Sequence, residues 1–152
     1  MAAKSGVLAP MGVGEIGRAV AGFAAGFGAV LIFHQGMLML LHVLGVTPAL
    51  PFSLRPTAPW GVPVVWSAAF WGGAWGVIYA FAERVFPPRP LYWIAAVLFG
   101  AVLLSLVAWF IVMPLKGLPQ GGGWRAAGIA TGLLVNGAWG FGTGLLLGPR
   151  AH

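Results

Sequence analysis

The residues best equipped for chemistry lie in one run, Phe33-His34-Gln35-Gly36-Met37-Leu38-Met39-Leu40-Leu41-His42. Two imidazoles and two thioethers so close together are the raw material of a transition-metal or haem site. Their spacing works against one. On a helix rising ~1.5 Å per residue, His34 and His42 lie about 12 Å apart along the axis and cannot share an ion. The third histidine, His152, is at the end of the sequence. No second helix supplies an imidazole, so a haem would need His34 from two copies of the chain. Met37 and Met39 are packing residues on this reading, and neither a metal nor a cofactor is expected.

The other familiar chemistries lack parts. The chain has no cysteine and no aspartate, and its only two carboxylates are Glu15 and Glu83. That removes thiolate nucleophiles, cysteine zinc sites, a Ser-His-Asp triad and a paired-carboxylate mechanism. Gly12-Val13-Gly14 has no G-x-x-G continuation and no strand before it, and Gly121-Gly122-Gly123 is not followed by Lys-Ser/Thr, so neither is a phosphate loop. No catalytic residue is assigned, and the chain is not expected to be an enzyme.

What must position the remaining polar residues follows from composition. Of 152 residues, 60% are hydrophobic and 7% charged, against roughly 25% charged in a soluble protein. A domain this small leaves too much surface exposed to hide that apolar load from water, so its solvent is lipid. Charge-free stretches run over 19–54, 56–82, 91–115 and 126–149. Each can supply the ~20 residues that cross a ~30 Å hydrocarbon core. None alternates polar with apolar as a barrel strand would. The expected fold is all-α: one membrane domain over 1–152, an integral four-helix bundle with helices at about 19–44, 62–82, 91–113 and 126–147. Residues 45–61 form a proline-rich connector. The first stretch is too long for the apolar region of a signal peptide and is read as an uncleaved helix.

The formal charge of +6 comes from single, scattered cations: Lys4, Arg18, Arg55, Arg84, Arg89, Lys116, Arg125 and Arg150. None forms a basic stripe, so nucleic acid is not an expected partner. Lys4, Arg18, Arg84, Arg89 and Arg150 fall on the side of the termini and middle connector; Arg55, Lys116 and Arg125 fall opposite. The positive-inside rule then puts both termini in the cytoplasm and the 45–61 connector outside it.

The chain also repeats itself. FGAVL occurs at 27–31 and 99–103, GAWG at 73–76 and 137–140, and Trp60 aligns with Trp124 at the second offset. Helices three and four therefore read as a tandem duplicate of helices one and two, with both hairpins pointing the same way. Because lipid is as apolar as leucine, helices associate through small residues and polar contacts. The packing positions are Gly22 and Gly26, Gly72 and Gly76, and the row Gly128, Gly132, Gly140 and Gly144, which serves either contacts within the chain or an oligomer interface. His34, Gln35, Ser105 and Asn136 form the expected mid-membrane polar cluster, with His34 or Gln35 meeting Asn136, either as interhelical glue or as a proton- or solute-binding position. Trp60, Trp93 and Trp124 are interface anchors.

The stretches LIFHQGMLMLLHVLG, PFSLRPTAPWGVP and AFWGGAWG resemble a group of small four-helix proteobacterial inner-membrane proteins. The resemblance implies four helices and a bacterial inner (plasma) membrane location, and it supplies no activity. The functional expectation is a non-catalytic polytopic protein that associates with itself or serves as an accessory or structural subunit of a membrane complex, with the lipid bilayer and other membrane subunits as partners. The alternatives are a small transporter or channel with a mid-membrane polar site, and a pigment-, quinone- or haem-binding protein.

Overall fold

A computed structural model describes residues 12–148. Lys4, Arg150 and His152 lie outside the described residues. Among the described residues, four helices are long and apolar enough to cross a membrane: α1 (Val13–Val43), α2 (Val64–Val85), α3 (Leu91–Leu115) and α4 (Ala126–Leu147). The first begins six residues before the expected 19 and so carries Arg18 inside it. The second begins at Val64, because Val62–Pro63 (β2) pairs antiparallel with Pro56–Thr57 (β1) in a two-residue ladder within the connector. The other two follow the expected ranges to within two residues.

Local chemistry sets the ends. Gly45 and Gly117 have left-handed φ of 72° and 69°, which glycine adopts without steric cost. At α1 the amide of Gly45 bonds the carbonyl of His42 and that of Val46 bonds Leu41; at α3 Gly117 bonds Pro114 and Leu118 bonds Met113. Both ends are Schellman caps, closing the last carbonyls that lipid would leave unpaired. Between α2 and α3, prolines 87, 88 and 90 stop the helix.

We call the side of Val13, Val85, Leu91 and Leu147 the proximal face and the opposite side the distal face. The helices pack in antiparallel pairs through small residues. A Cβ added at Gly26 would strike the carbonyl oxygen of Gly72, and one at Gly76 that of Gly22; in the second pair, Gly100 meets the carbonyl of Asn136 and Gly140 that of Ala96. The α2 and α4 residues of these crossings are 64 apart, the spacing of the GAWG repeat. Their α1 and α3 partners are 74 apart, whereas FGAVL and the Schellman glycines repeat at 72. The two pairs join where the Trp139 indole N–H of α4 donates to the Gly26 carbonyl of α1 at 2.9 Å. Ala29, Val30, Ala69, Tyr79, Tyr92, Ala96 and Trp139 form the buried core.

Three π-helical turns interrupt the ladder: Val30–His34 in α1, and Phe99–Leu104 and Ala108–Val112 in α3. Such turns widen a helix locally and concentrate at functional sites. Even the most buried apolar segments, in α2 and α4, are only 39% buried inside the protein, so Ile32, Ile94, Phe110 and Leu145 are left exposed on the outer surface.

The crossings yield a direct comparison. Gly76→Ala places a methyl group against backbone, whereas Gly128 has nothing within 4 Å of a Cβ. Gly76→Ala is expected to lower stability in detergent by about 1–3 kcal/mol. Gly128→Ala should leave it unchanged or raise it by up to ~1 kcal/mol. Unfolding midpoints of the two variants check this.

Candidate functional site

Although adjacent in sequence, α2 and α3 meet only toward the proximal face, where the Tyr79 ring packs edge-on against Phe99 at 5.2 Å. Distal to that contact a cavity of about 690 Å³ separates them. Ala68, Gly72 and Trp75 line one wall, and Leu104, Ala108 and Val112 the other. Val30 and His34 of α1, with Asn136 and Trp139 of α4, form the floor, and Lys116 stands at the distal end of α3. Every π-helical turn contributes to the lining: Val30 and His34 from the first, Leu104 from the second, Ala108 and Val112 from the third.

The polar residues expected to cluster are placed as follows. His34, Ser105 and Asn136 lie nine or ten residues from the distal ends of their helices, about 14 Å deep at ~1.5 Å per residue and thus near the middle of a ~30 Å core. Asn136 Nδ2 donates to Ser105 Oγ at 3.0 Å, so the partner of Asn136 is Ser105 of the neighbouring helix and not His34 or Gln35. His34 shares the cavity with Asn136, and its Nδ1 is buried without a hydrogen-bond partner among the described residues. Gln35 leaves the cluster. It is buried, and its Oε1 accepts the amide N–H of Phe52 at 2.7 Å. The proline-rich connector folds back on α1 there, and a non-helical amide so close to the apolar layer needs an acceptor.

A second polar group closes the proximal end. Glu83, 1% exposed, pairs with Arg18 of α1. Arg18 Nε also donates to the Ala80 carbonyl at 2.6 Å. Tyr92 of α3 donates its hydroxyl to Glu83 Oε2 at 2.9 Å, and the Tyr79 hydroxyl lies 3.2 Å from that of Tyr92. Gly144 of α4 leaves room for both rings: a Cβ there would meet the Tyr79 and Tyr92 hydroxyls. This network joins α1, α2 and α3 and packs against α4 at Gly144. The sequence alone places Arg18 among the topology-setting cations and does not reveal this network. The signal was available, because Glu83 is one of only two carboxylates and helix counting puts it at the proximal end beside Arg18.

The remaining positions divide by environment. Gly22, Gly26, Gly72, Gly76 and Gly140 sit in the helix crossings; Gly132 lies under the Trp109 indole, and Gly128 faces open space. Trp60 is exposed at the tip of the β1–β2 hairpin. Trp124 packs on Trp109 and Phe110 at the distal turn, while Trp93 packs on Phe141 and lies 5.7 Å from the Arg89 guanidinium at the proximal one. Among the described residues, no three His, Asp or Glu side chains converge to hold a metal ion.

Removing one partner of a buried ion pair costs about 3–5 kcal/mol, because the other charge is left unpaired, while removing both costs less than the sum. Thermal or denaturant unfolding in detergent should show a large loss in Glu83→Leu and a partial recovery in the Arg18→Leu, Glu83→Leu double variant. Additive losses would contradict the pairing. Compared with protein-family models, curated proteins and solved structures, the chain matches none.

Proposed function

We propose that this is a non-catalytic, polytopic membrane protein, built as a four-helix bundle of two duplicated hairpins, that holds and carries a small molecule in the cleft between α2 and α3. The observation that carries this reading is the coincidence of all three π-helical turns with one cavity whose floor presents His34 and Asn136. Polar groups kept at mid-membrane are costly and mark binding positions or pathways. The duplication is supported by the shared crossing pattern and the paired Schellman caps. The cation count supports cytoplasmic termini, with the cleft then opening toward the non-cytoplasmic face, and the resemblance to small proteobacterial proteins supports a bacterial inner membrane.

A separate feature supports association with another membrane subunit or a second copy. An apolar groove of about 680 Å³ crosses α4 on its other side, lined by Gly36 and Met37 of α1, Val97 and Ala101 of α3, and Gly137 and Ala138 of α4. Small residues along such a groove let another helix approach closely. The two readings are compatible, because the groove and the cleft occupy different faces.

The cleft reading is tested by what the protein retains. Protein purified from native membranes in mild detergent should carry a small molecule in stoichiometric amount, identified by solvent extraction and mass spectrometry. Ala108→Trp, which fills the cleft from the α3 wall, should lose it while keeping its folded elution and unfolding profile. Equal retention in the filled variant, or nothing retained by the wild type, would contradict the reading.

A further inference from the structure

The two hairpins pack alike, yet the spaces between them differ. On the α1–α4 side, the Trp139 indole lies over the crossing of the first pair. It donates to Gly26, its Nε1 would lie 3.2 Å from a Cβ at Gly72, and its ring is edge-on to Tyr79 at 6.2 Å. The 64-residue spacing that relates the α2 and α4 crossing residues takes Trp139 to Trp75 and Gly72 to Asn136. The crossing itself takes Gly26 to Gly100. The equivalent seat is therefore the space between Trp75 and the Asn136–Gly100 crossing. The cleft borders that space: Trp75 and Asn136 line it, and Gly100 does not. One side of the molecule has a flat ring built over its crossing; beside the other crossing lies a cavity.

We propose that the cleft is a binding site for a neutral planar ring bearing hydrogen-bonding oxygens on an apolar tail, the chemistry of a membrane quinone or its quinol. This assignment rests on the cleft reading above and names its guest. Trp71 and Trp75 border the space beside Gly72, Ala74 and Ala108. Electron-rich indoles stack favourably on a planar, electron-poor ring, and the small residues leave it room. At mid-depth, His34 Nδ1 has no partner, and the Asn136 carboxamide oxygen makes no hydrogen bond to a described residue, its Nδ2 being taken by Ser105. An imidazole N–H donates to a keto oxygen, and the carboxamide oxygen accepts from a hydroxyl, so a quinol uses both groups and a quinone the imidazole alone. The lining holds no carboxylate, and its one charge is Lys116. That complementarity disfavours a cationic guest and suits one rich in acceptor oxygens. An apolar tail would leave between α2 and α3, where the cavity opens distal to Tyr79. The assignment is one of binding, and no reaction at the ring is included.

Equilibrium dialysis of the detergent-purified protein against a short-chain benzoquinone and its quinol tests the assignment. The controls are a cyclohexane analogue without oxygens and a fatty-acid anion of the same tail length. Saturable, stoichiometric binding of the quinone or quinol is expected, with both controls much weaker. His34→Leu should weaken binding of either form about tenfold, equivalent to ~1.4 kcal/mol, Asn136→Leu should weaken that of the quinol, and Ala108→Trp should abolish both. Phe110→Leu, on the exposed face of α3, should change nothing. Unfolding midpoints establish that each variant is folded, and His34→Asn, which keeps a hydrogen-bonding group, should recover part of the loss. Absence of saturation, binding indifferent to both polar variants, or equal binding of the fatty-acid anion overturns the assignment. If the native protein retains a different guest that Ala108→Trp expels, the cleft reading survives and the ring assignment does not. If nothing is retained and nothing binds, both fall.

Discussion

The close approach of backbones at Gly22, Gly26, Gly72 and Gly76, and again at Ala96, Gly100, Asn136 and Gly140, is the constraint on which the rest of the molecule depends. In lipid, apolar side chains gain nothing by leaving their surroundings for one another, so the hydrophobic effect that assembles soluble proteins does not bring these helices together. What remains is dispersion between closely fitted surfaces and a few hydrogen bonds. Dispersion needs helices without bulky side chains at the contact. The abundance of glycine, 25 residues in 152, would be a weakness in a soluble helix. Here several of those glycines are the attachment points.

Two such crossings make two hairpins, and the manner of their joining decides where polar residues can act. Trp139 welds α1 to α4, and the Arg18, Glu83, Tyr79 and Tyr92 network ties the proximal ends. Between α2 and α3 the tie is proximal, and distally the helices leave space. The ion pair sits well inside the protein and is costly to desolvate. Its hydrogen bonds from tyrosine and to backbone offset that cost. The bundle is thus closed at its proximal end and holds a cavity distally.

Much of this was legible in the sequence, for reasons that can be stated residue by residue. The four spans followed from charge-free length, and the connectors from proline runs and glycines such as Gly117. The GAWG spacing of 64 holds for the crossing residues Gly72 and Asn136, and for Gly76 and Gly140. What escaped was pairing across the chain. Arg18 was read as a boundary cation because charges usually end a span, yet a partner at Glu83 let α1 continue through it. Gln35 was placed with Asn136 because both are amides near mid-helix, but helix counting cannot reveal that the connector turns back and delivers the Phe52 amide to it. The π-helical turns were invisible as well, since no residue type marks them. They shift which residues share a face, and they bring His34, Leu104 and Ala108 to one cavity.

The separation of α2 from α3 is measured most directly by pulsed electron spin resonance, because a chain without cysteine accepts spin labels only where a thiol is introduced. Labels at Val64 and Leu115 report the distal ends, and labels at Val85 and Leu91 the proximal ends. The account predicts a narrow, short distance at the proximal pair and a clearly longer one at the distal pair, the latter changed by Ala108→Trp. Equal separations at both ends would mean that the helices run together along their length, and the cleft with everything assigned to it would have to be abandoned.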